Sequence, residues 1–224
     1  MAHYEIEIKS LLGERERAEE LKRLMQEYDP SCACTSTNVQ LNHYFTGGDM
    51  EQLFEKTKHF FDSDTQQSFK MIVERGSAFS VRTRQRDDEV LLVVKASIDA
   101  GTSENAVSRM EFEESVPVTL AELDALVEAA GFTYQAKWSR EREEYTYKGA
   151  NVCIDRNAGY GYLAEFEKVV DDEANTDAVR EELIALMAEL GAVELPQDRL
   201  ERMFAHYNAH WPEYYGTDKT FVIE

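Results

Sequence analysis

The stretch YEIEIKSL at residues 4–11 alternates apolar and charged side chains from Tyr4 to Lys9. Because successive side chains of a β-strand point to opposite faces, Glu5, Glu7 and Lys9 share one face of the predicted strand. The two carboxylates are spaced ~6.6 Å apart, so that they can bind one hard cation between them. A single pair of this kind carries little weight in so acidic a chain, because a solvated strand face explains it equally well.

The same charged alternation recurs in other segments, with both signs of charge. Arg82 and Arg84 are separated by one neutral residue, and so are Glu165 and Glu167. Like charges at positions i and i+2 repel each other unless an opposite charge or a ligand lies between them. A strand face that only contacts water does not readily explain this recurrence. Further charged positions of the same kind are Lys95, Arg109, Glu111, Glu113, Arg140, Arg142 and Asp155.

The alternation predicts eight short strands, a number that suits an antiparallel β-barrel. With the charged faces turned inward, the barrel becomes a tunnel with a polar, charged interior, and helices pack outside against its apolar surface. The predicted fold class is therefore α+β. The predicted strands are Tyr4–Leu11, Val39–Phe45, Phe79–Gln85, Val90–Ala96, Ser108–Val116, Glu143–Lys148, Val152–Asp155 and Leu163–Val169.

Amphipathic helices are predicted between and after the strands. The clearest is Leu120–Ala130, because Thr119 and Glu122 form a capping box before it and Gly131 supplies a stop. The other predicted helices are Glu14–Tyr28, Asp49–Phe61, Asp177–Leu190 and a tail helix Asp198–Trp211.

These elements predict a tunnel domain over residues 1–170 and a helical C-terminal appendage over residues 171–224. The stretch 47–77 is long for a hairpin connection and is interpreted as an insertion. Two roles remain open for it: a cover over one mouth of the barrel, or a packing element with no part in the site.

The charge balance limits the partners of the chain. Among 224 residues, 24 basic and 44 acidic side chains give a net charge of −20, which disfavours nucleic acid and anionic membranes. No apolar stretch approaches the ~20 residues of a spanning helix and no signal peptide is recognised, so a cytoplasmic protein is expected. Cys32, Cys34 and Cys153 are odd in number and lack the spacing of a zinc knuckle, which favours free thiols.

A tunnel lined by both signs of charge suits a polyphosphate bound together with a divalent metal. Arginine forks and lysine charges bind phosphate oxygens, and carboxylates bind the Mg²⁺ or Mn²⁺ that bridges those oxygens. So many buried charges are tolerable only if they are paired, hydrated or bound to a ligand.

The charged positions form an ordered set of short motifs: E-x-E-x-K at Glu5, Glu7 and Lys9, then Arg82-x-Arg84, Lys95, Glu111-x-Glu113, Arg140-x-Arg142, Asp155, and G-x-x-x-E-x-E at Gly161, Glu165 and Glu167. This set resembles the CYTH superfamily, the triphosphate tunnel metalloenzymes, which includes class IV adenylyl cyclases, thiamine triphosphatases and inorganic triphosphatases. The resemblance covers most of residues 1–170. Each piece is common, but the full ordered set is specific.

The resemblance implies a role for each matched residue. Lys137 is an alternative to Arg140, because the register of the strand around KWSRER is not determined by the sequence, and Arg109 is expected to contact the substrate. The implied metal-site residues are Glu5, Glu7, Glu111, Glu113, Asp155, Glu165 and Glu167. The implied phosphate ligands are Lys9, Arg82, Arg84, Lys95, Arg140 and Arg142. The residues expected to take part in catalysis are Glu5, Glu7, Lys95 and Glu167.

The predicted function is metal-dependent hydrolysis of inorganic triphosphate or another small triphosphate. One alternative is an adenylyl cyclase of class IV type, which converts ATP to cyclic AMP and pyrophosphate, and another is a binding module without turnover. Tyr160 and Tyr162 are the candidates for stacking on a nucleobase, with core packing as the alternative. Apart from the substrate, the partner left open is a second copy of the chain in a homodimer.

Overall fold

The computed structural model describes residues 4–97, 109–170 and 176–224, and of Tyr4, Glu5 and Arg109 it describes the backbone alone. The strands are β1 (Tyr4–Gly13), β2 (Ala33–Gly47), β3 (Ser77–Arg86), β4 (Glu89–Ser97), β5 (Arg109–Ser115), β6 (Phe132–Tyr147), β7 (Ala150–Asn157) and β8 (Gly161–Val170). The helices are α1 (Arg15–Tyr28), α2 (Met50–Thr57), α3 (Ser63–Arg75), α4 (Leu120–Ala129), α5 (Thr176–Glu189) and α6 (Gln197–Tyr214), and a 3₁₀ turn spans Lys58–Phe60.

The chain divides into two compact units. The first unit comprises Met1–Val39 and Ser139–Glu224, and the second comprises Gln40–Trp138, so that β2 and β6 contribute residues to both. The strand order is β1-β8-β7-β6-β2 in the first unit and β6-β2-β3-β4-β5 in the second. Pairs β1–β8, β7–β8, β6–β7, β2–β3, β3–β4 and β4–β5 are antiparallel. The predicted α+β fold with eight antiparallel strands is confirmed.

In the first unit, α1 and α5 cover the apolar face of the strands. Ile8 of β1, Ile154 of β7 and Phe166 of β8 share a buried core with Leu21 of α1 and Leu183 of α5. Full burial of one such side chain contributes ~1.5–3 kcal/mol to stability. The alternation of the strands therefore leaves the charged side chains on the opposite face.

In the second unit, α2, α3 and α4 cover the apolar face. Leu53 of α2, Phe69 of α3 and Leu123 of α4 are buried against Leu92 of β4 and Phe112 of β5. The Phe69 and Phe112 rings are stacked, with centroids 4.4 Å apart. Both units thus have an apolar face under helices and a charged face opposite.

The stretch 47–77 contains more helix than the sequence analysis predicts. Helix α2 ends at Thr57 instead of Phe61, and α3 follows it without having been predicted. Both helices carry an N-cap signal, since Asp49 accepts a hydrogen bond from the amide of Gln52 and Asp62 accepts one from the amide of Thr65. The Asp62 cap is the signal that would have located α3.

Strand β6 begins at Phe132, eleven residues before the predicted start at Glu143. The five residues 140–144 are all charged, so that no alternation of apolar and polar residues marks this part of the strand. Arg140 and Arg142 consequently lie inside the strand instead of before it. Their outward neighbour Glu143 bonds to Lys22 of α1, with Oε1 3.0 Å from Nζ.

The C-terminal segment packs on the turn between β7 and β8. The amide of Gly159 donates to the carbonyl of Lys219, and the amide of Phe221 donates back to the carbonyl of Gly159. Tyr160 lies in a ring cluster with Tyr207 and Phe221, which supports the packing interpretation of this tyrosine. The domain boundary at residue 170 stays a prediction. Within the described residues, no helix is long and apolar enough to cross a membrane.

A buried polar network joins α4 to three strands of the second unit. Asp124 is 5% exposed; its Oδ2 lies 2.8 Å from His43 Nδ1 and accepts a 2.8 Å hydrogen bond from the Tyr134 hydroxyl. Its Oδ1 accepts a 2.5 Å bond from the Thr83 hydroxyl. Burial alone would raise the pKa of Asp124, but these hydrogen bonds outweigh burial and hold it below the ordinary value.

We expect Asp124→Asn to lower the free energy of unfolding at pH 7 by about 2–4 kcal/mol, because a buried charged acceptor is lost. Because the folded pKa of Asp124 is depressed, its ionised carboxylate contributes its full stabilisation above the unfolded pKa of about 3.9. This contribution is lost as pH falls through the lower folded pKa. Urea unfolding between pH 7 and pH 3 should therefore show the difference from wild type shrinking below about pH 4. Asp88→Asn, in an exposed turn, is the control. A difference that does not change with pH would contradict this role.

Candidate functional site

The first-unit charged face is defined by seven side chains on four strands: Glu7, Lys9, Arg140, Arg142, Asp155, Glu165 and Glu167. The antiparallel register places Glu7 opposite Glu167 and Lys9 opposite Glu165. A third facing pair on this face is Arg142 of β6 and Asp155 of β7. Residues far apart in the sequence are thus adjacent because the strand period and the register agree.

Asp155 holds two guanidinium groups together. Its side chain is 1% exposed, and its Oδ1 accepts a 2.7 Å hydrogen bond from Arg142 Nε. Its Oδ2 accepts from Arg142 Nη2 at 2.6 Å and from Arg140 Nη1 at 2.9 Å. Burial alone would lower the pKa of Arg142, but the hydrogen bond and charge of Asp155 outweigh it and raise that pKa. The Asp155 carboxylate therefore holds both guanidinium groups in place.

Glu165 links this arginine pair to β1. It accepts a hydrogen bond from Arg142 Nη2 and lies 3.3 Å from Lys9 Nζ, and Lys9 also contacts Glu7. Burial alone would raise the pKa of Glu165, but the charges of Lys9 and Arg142 lower it to about 2. The face is therefore a chain of alternating charges in which each member compensates its neighbours.

The glycine of the G-x-x-x-E-x-E motif has a steric role at the start of β8. Gly161 has a φ of +73°, and a Cβ at this position would lie 2.4 Å from the carbonyl oxygen of Gly13. Only glycine allows β8 to approach β1 this closely. This close approach lies at the end of the β1–β8 ladder in which Glu165 is opposite Lys9.

The predicted metal ligands of the first unit fall into two groups. Asp155 and Glu165 bond to guanidinium groups, whereas Glu7 and Glu167 face each other across β1 and β8. Two carboxylates on neighbouring strands suit a hard cation such as Mg²⁺ or Mn²⁺, which takes oxygen ligands. Glu5 lies two residues before Glu7 on β1. Among side chains that the structure describes, no three acidic, histidine or cysteine groups already form a metal cage.

The second-unit charged face is defined by Arg82, Arg84, Arg86, Lys95, Glu111 and Glu113. Arg84 Nε donates a 2.8 Å hydrogen bond to Asn42 Oδ1, and its Nη1 donates to both carboxylate oxygens of Glu113 at 2.9 and 3.0 Å. Lys95 Nζ lies 3.1 Å from Glu111. These predicted ligands are thus assembled into internal ion pairs.

Arg82 differs from these paired residues. Its Nε is buried, and no described residue accepts a hydrogen bond from it. Its guanidinium lies over the Tyr44 ring, 4.7 Å from the centroid, and Tyr44 contacts Trp138 edge to face with centroids 6.4 Å apart. A buried donor without an acceptor costs ~1–3 kcal/mol, so this position suits an anionic ligand.

Two further predicted ligands have different surroundings. Lys137 Nζ lies 4.1 Å from the centroid of the Tyr134 ring, and the Tyr134 hydroxyl bonds to Asp124 of α4. Of the two alternatives, Arg140 bonds to Asp155, with Nη1 2.9 Å from Oδ2. Arg109 begins β5, two residues before Glu111, but its side chain lies outside the described part of the structure.

Several polar residues of the two faces escaped the sequence analysis. In the first unit, Glu144 lies opposite Cys153, and burial raises the pKa of the Cys153 thiol to about 12. In the second unit, Asn42 and Tyr44 share a face with Arg84 and Arg82 through the β2–β3 register. A period of two extended through β2 and β6 would have found them. The three cysteines are free, as predicted.

A family model for the CYTH domain matches residues 3–199. The chain belongs to the CYTH family. The match includes every residue of the two charged faces, and it extends past residue 170 into α6. No curated protein matches the chain by sequence at a significant level.

Solved structures similar to this CYTH chain support the same fold. The PH1819 protein from Pyrococcus horikoshii OT3 shares 19% identity at a TM-score of 0.60, covering 91% of this chain and 99% of that one. A proposed adenylate cyclase from Vibrio parahaemolyticus shares 14% sequence identity at a TM-score of 0.58, covering 92% of this chain and 99% of that one. HpAC1 from Hippeastrum is a proposed adenylyl cyclase with a dominant triphosphatase activity. It shares 17% sequence identity at a TM-score of 0.52, covering 90% of this chain and 95% of that one. At these identities the likeness shows the fold alone.

We expect the two arginines of β3 to respond differently to substitution in this CYTH protein. Arg82→Gln should weaken tripolyphosphate binding by about 1.5–3 kcal/mol and leave the free energy of unfolding nearly unchanged, because its buried Nε has no described acceptor. Arg84→Gln should also destabilise the fold by about 1–3 kcal/mol, because Glu113 and Asn42 lose its guanidinium. Calorimetric binding and urea unfolding measure both effects. Unchanged binding in Arg82→Gln would show that this face binds no phosphate.

Proposed function

We propose that this protein is a divalent-metal-dependent phosphohydrolase that acts on inorganic triphosphate or another compact triphosphate. The observation that carries the proposal is the first-unit charged face. It interleaves carboxylates for a metal with arginine and lysine side chains for phosphate, inside a member of the CYTH family. A module that only bound anions would need donors and cations, but not this number of acids.

The residues that would hold Mg²⁺ or Mn²⁺ are Glu7 of β1 and Glu167 of β8, together with Glu5, which lies two residues before Glu7 on β1. Such an ion would neutralise developing charge on the phosphate and would supply an activated water molecule. Arg140, Arg142 and the other cations bind and orient the phosphoryl oxygens for in-line attack. Because the guanidinium groups are fixed before substrate arrives, little reorganisation is needed during the reaction.

The basic residues of the second unit are proposed to bind phosphate as well. Arg82 offers a buried donor, and Lys95 carries a compact charge that can stabilise the transition state. Lys95 is paired with Glu111 in the structure, so substrate or metal must compete with that ion pair. Such competition favours ligands of high charge density.

The adenylyl cyclase alternative rests on a separate observation. The Tyr44 ring lies against Arg82, and Trp138 contacts that ring edge to face. A ring pair that includes the neighbour of a phosphate ligand can receive a nucleobase. Two structural neighbours are described as proposed adenylyl cyclases, and one of them has a dominant triphosphatase activity. Cyclisation also requires a positioned ribose hydroxyl, and the described residues offer no comparable set of ribose ligands.

Glu167→Gln tests the metal requirement. We expect it to weaken Mn²⁺ binding at least about tenfold and to abolish hydrolysis, because one of the two facing carboxylates loses its charge. Calorimetric titration with Mn²⁺ and phosphate release measure the two effects, and circular dichroism checks the fold. Glu181→Gln, at an exposed position of α5, is the matched control. Turnover by wild type in excess chelator would rule out the proposed chemistry.

Substrate preference separates the two proposed reactions. We expect kcat/KM for tripolyphosphate hydrolysis to exceed kcat/KM for cyclic AMP formation from ATP, because the described ligands recognise phosphate and metal. The measurement compares tripolyphosphate, thiamine triphosphate and ATP with the same metal, following phosphate, pyrophosphate and cyclic AMP separately. If cyclic AMP formation is the most efficient reaction, the cyclase alternative replaces the hydrolase proposal.

A further inference from the structure

We propose that Asp155 is a positioning residue, which orients Arg140 and Arg142 for binding triphosphate oxygens, and that it does not ligate the metal ion. The inference rests on the proposed function and names the task of one residue within it. It departs from the metal role that the family resemblance implies for Asp155.

The hydrogen bonds of Asp155 oppose a direct bond to a metal ion. Three guanidinium N–H groups donate to its two oxygens at 2.6–2.9 Å, and the side chain is 1% exposed. A direct metal bond would require one of these oxygens to turn from its donors toward the ion. That turn would leave buried guanidinium donors of Arg140 or Arg142 without their acceptor.

The positive charges around Asp155 also disfavour a metal ion at this carboxylate. Arg140 and Arg142 are both within hydrogen-bonding distance of its carboxylate, so a divalent cation bound there would lie beside two positive charges. Glu7 and Glu167 lie opposite each other on neighbouring strands, so a cation shared between them would have two carboxylates as ligands. The charge distribution therefore separates a metal end of the face from an arginine end.

Asp155 and Glu165 together fix the orientation of the Arg142 guanidinium. Asp155 accepts from Nε and Nη2, and Glu165 accepts a further bond from Nη2. No described residue accepts a hydrogen bond from Nη1 of Arg142. A guanidinium held by two carboxylates along one edge presents its remaining N–H donors in a fixed direction, as phosphate binding requires.

The test compares Asp155→Asn with Glu167→Gln in two binding measurements on the whole chain. The first is calorimetric Mn²⁺ affinity, and the second is tripolyphosphate affinity in chelator, where metal contributes nothing. We expect Asp155→Asn to keep Mn²⁺ affinity within twofold of wild type and to weaken metal-free tripolyphosphate binding at least tenfold. Glu167→Gln should show the opposite pattern. A tenfold loss of Mn²⁺ affinity in Asp155→Asn with tripolyphosphate binding intact would overturn the proposal.

A double-substitution cycle distinguishes positioning from a general loss of structure. In the Arg140→Gln, Arg142→Gln background, Asp155→Asn should weaken metal-free tripolyphosphate binding no further, because the residues through which it acts are gone. An additional tenfold loss in that background would contradict positioning. If Asp155→Asn fails to fold, Asp155→Glu keeps the charge and is measured instead, with Mn²⁺ affinity expected to stay within twofold and a tenfold loss of it overturning the inference.

The same data separate this inference from the proposed function. Wild-type protein that binds neither Mn²⁺ nor tripolyphosphate would overturn both. Wild-type protein that binds both, combined with a loss of Mn²⁺ affinity in Asp155→Asn, would overturn only the assignment of Asp155.

Discussion

The structure depends on the compensation of charge on one face of its strands. In the first unit, the central interaction is the buried carboxylate of Asp155, which bonds to Arg140 and Arg142 at once. Isolated charges at this depth would destabilise the fold, whereas a hydrogen-bonded cluster can be accommodated. Once these charges are paired, the other face of the strands is free to be apolar and to pack under α1 and α5.

The same compensation explains how a fold of ordinary stability can carry a site for a highly charged ligand. A polyphosphate and its metal bring both signs of charge, so they can replace internal partners without leaving any group unsatisfied. Lys95 with Glu111 and Lys9 with Glu165 are pairs of this kind. In contrast, Arg82 has a buried Nε that no described residue satisfies, and it therefore gains most from an anion.

Membership of the CYTH family and the arrangement of charges support phosphate chemistry from independent directions. The family match concerns the sequence as a whole, whereas the arrangement concerns particular contacts of particular side chains. The Tyr44 ring lies against Arg82 and contacts Trp138 edge to face, and the proposed cyclase alternative rests on this pair.

The sequence by itself determined the two-faced strands. Period-two alternation located Glu5, Glu7, Lys9, Glu165 and Glu167 on strand faces, because side-chain direction in a strand follows from local geometry alone. It also located α4, whose capping box is local. It missed α3 and most of β6, where a single cap residue and a wholly charged run hid the usual patterns.

Only the tertiary structure decided which charges meet. Register is a property of two strands together, so no single segment reveals that Arg142 lies opposite Asp155 or that Glu7 lies opposite Glu167. For the same reason, the sequence could list seven acidic candidates but could not tell which of them hold arginines, as Asp155, Glu165 and Glu113 do, and which face another carboxylate, as Glu7 and Glu167 do. That division follows from contacts between strands, which alternation along one strand does not encode.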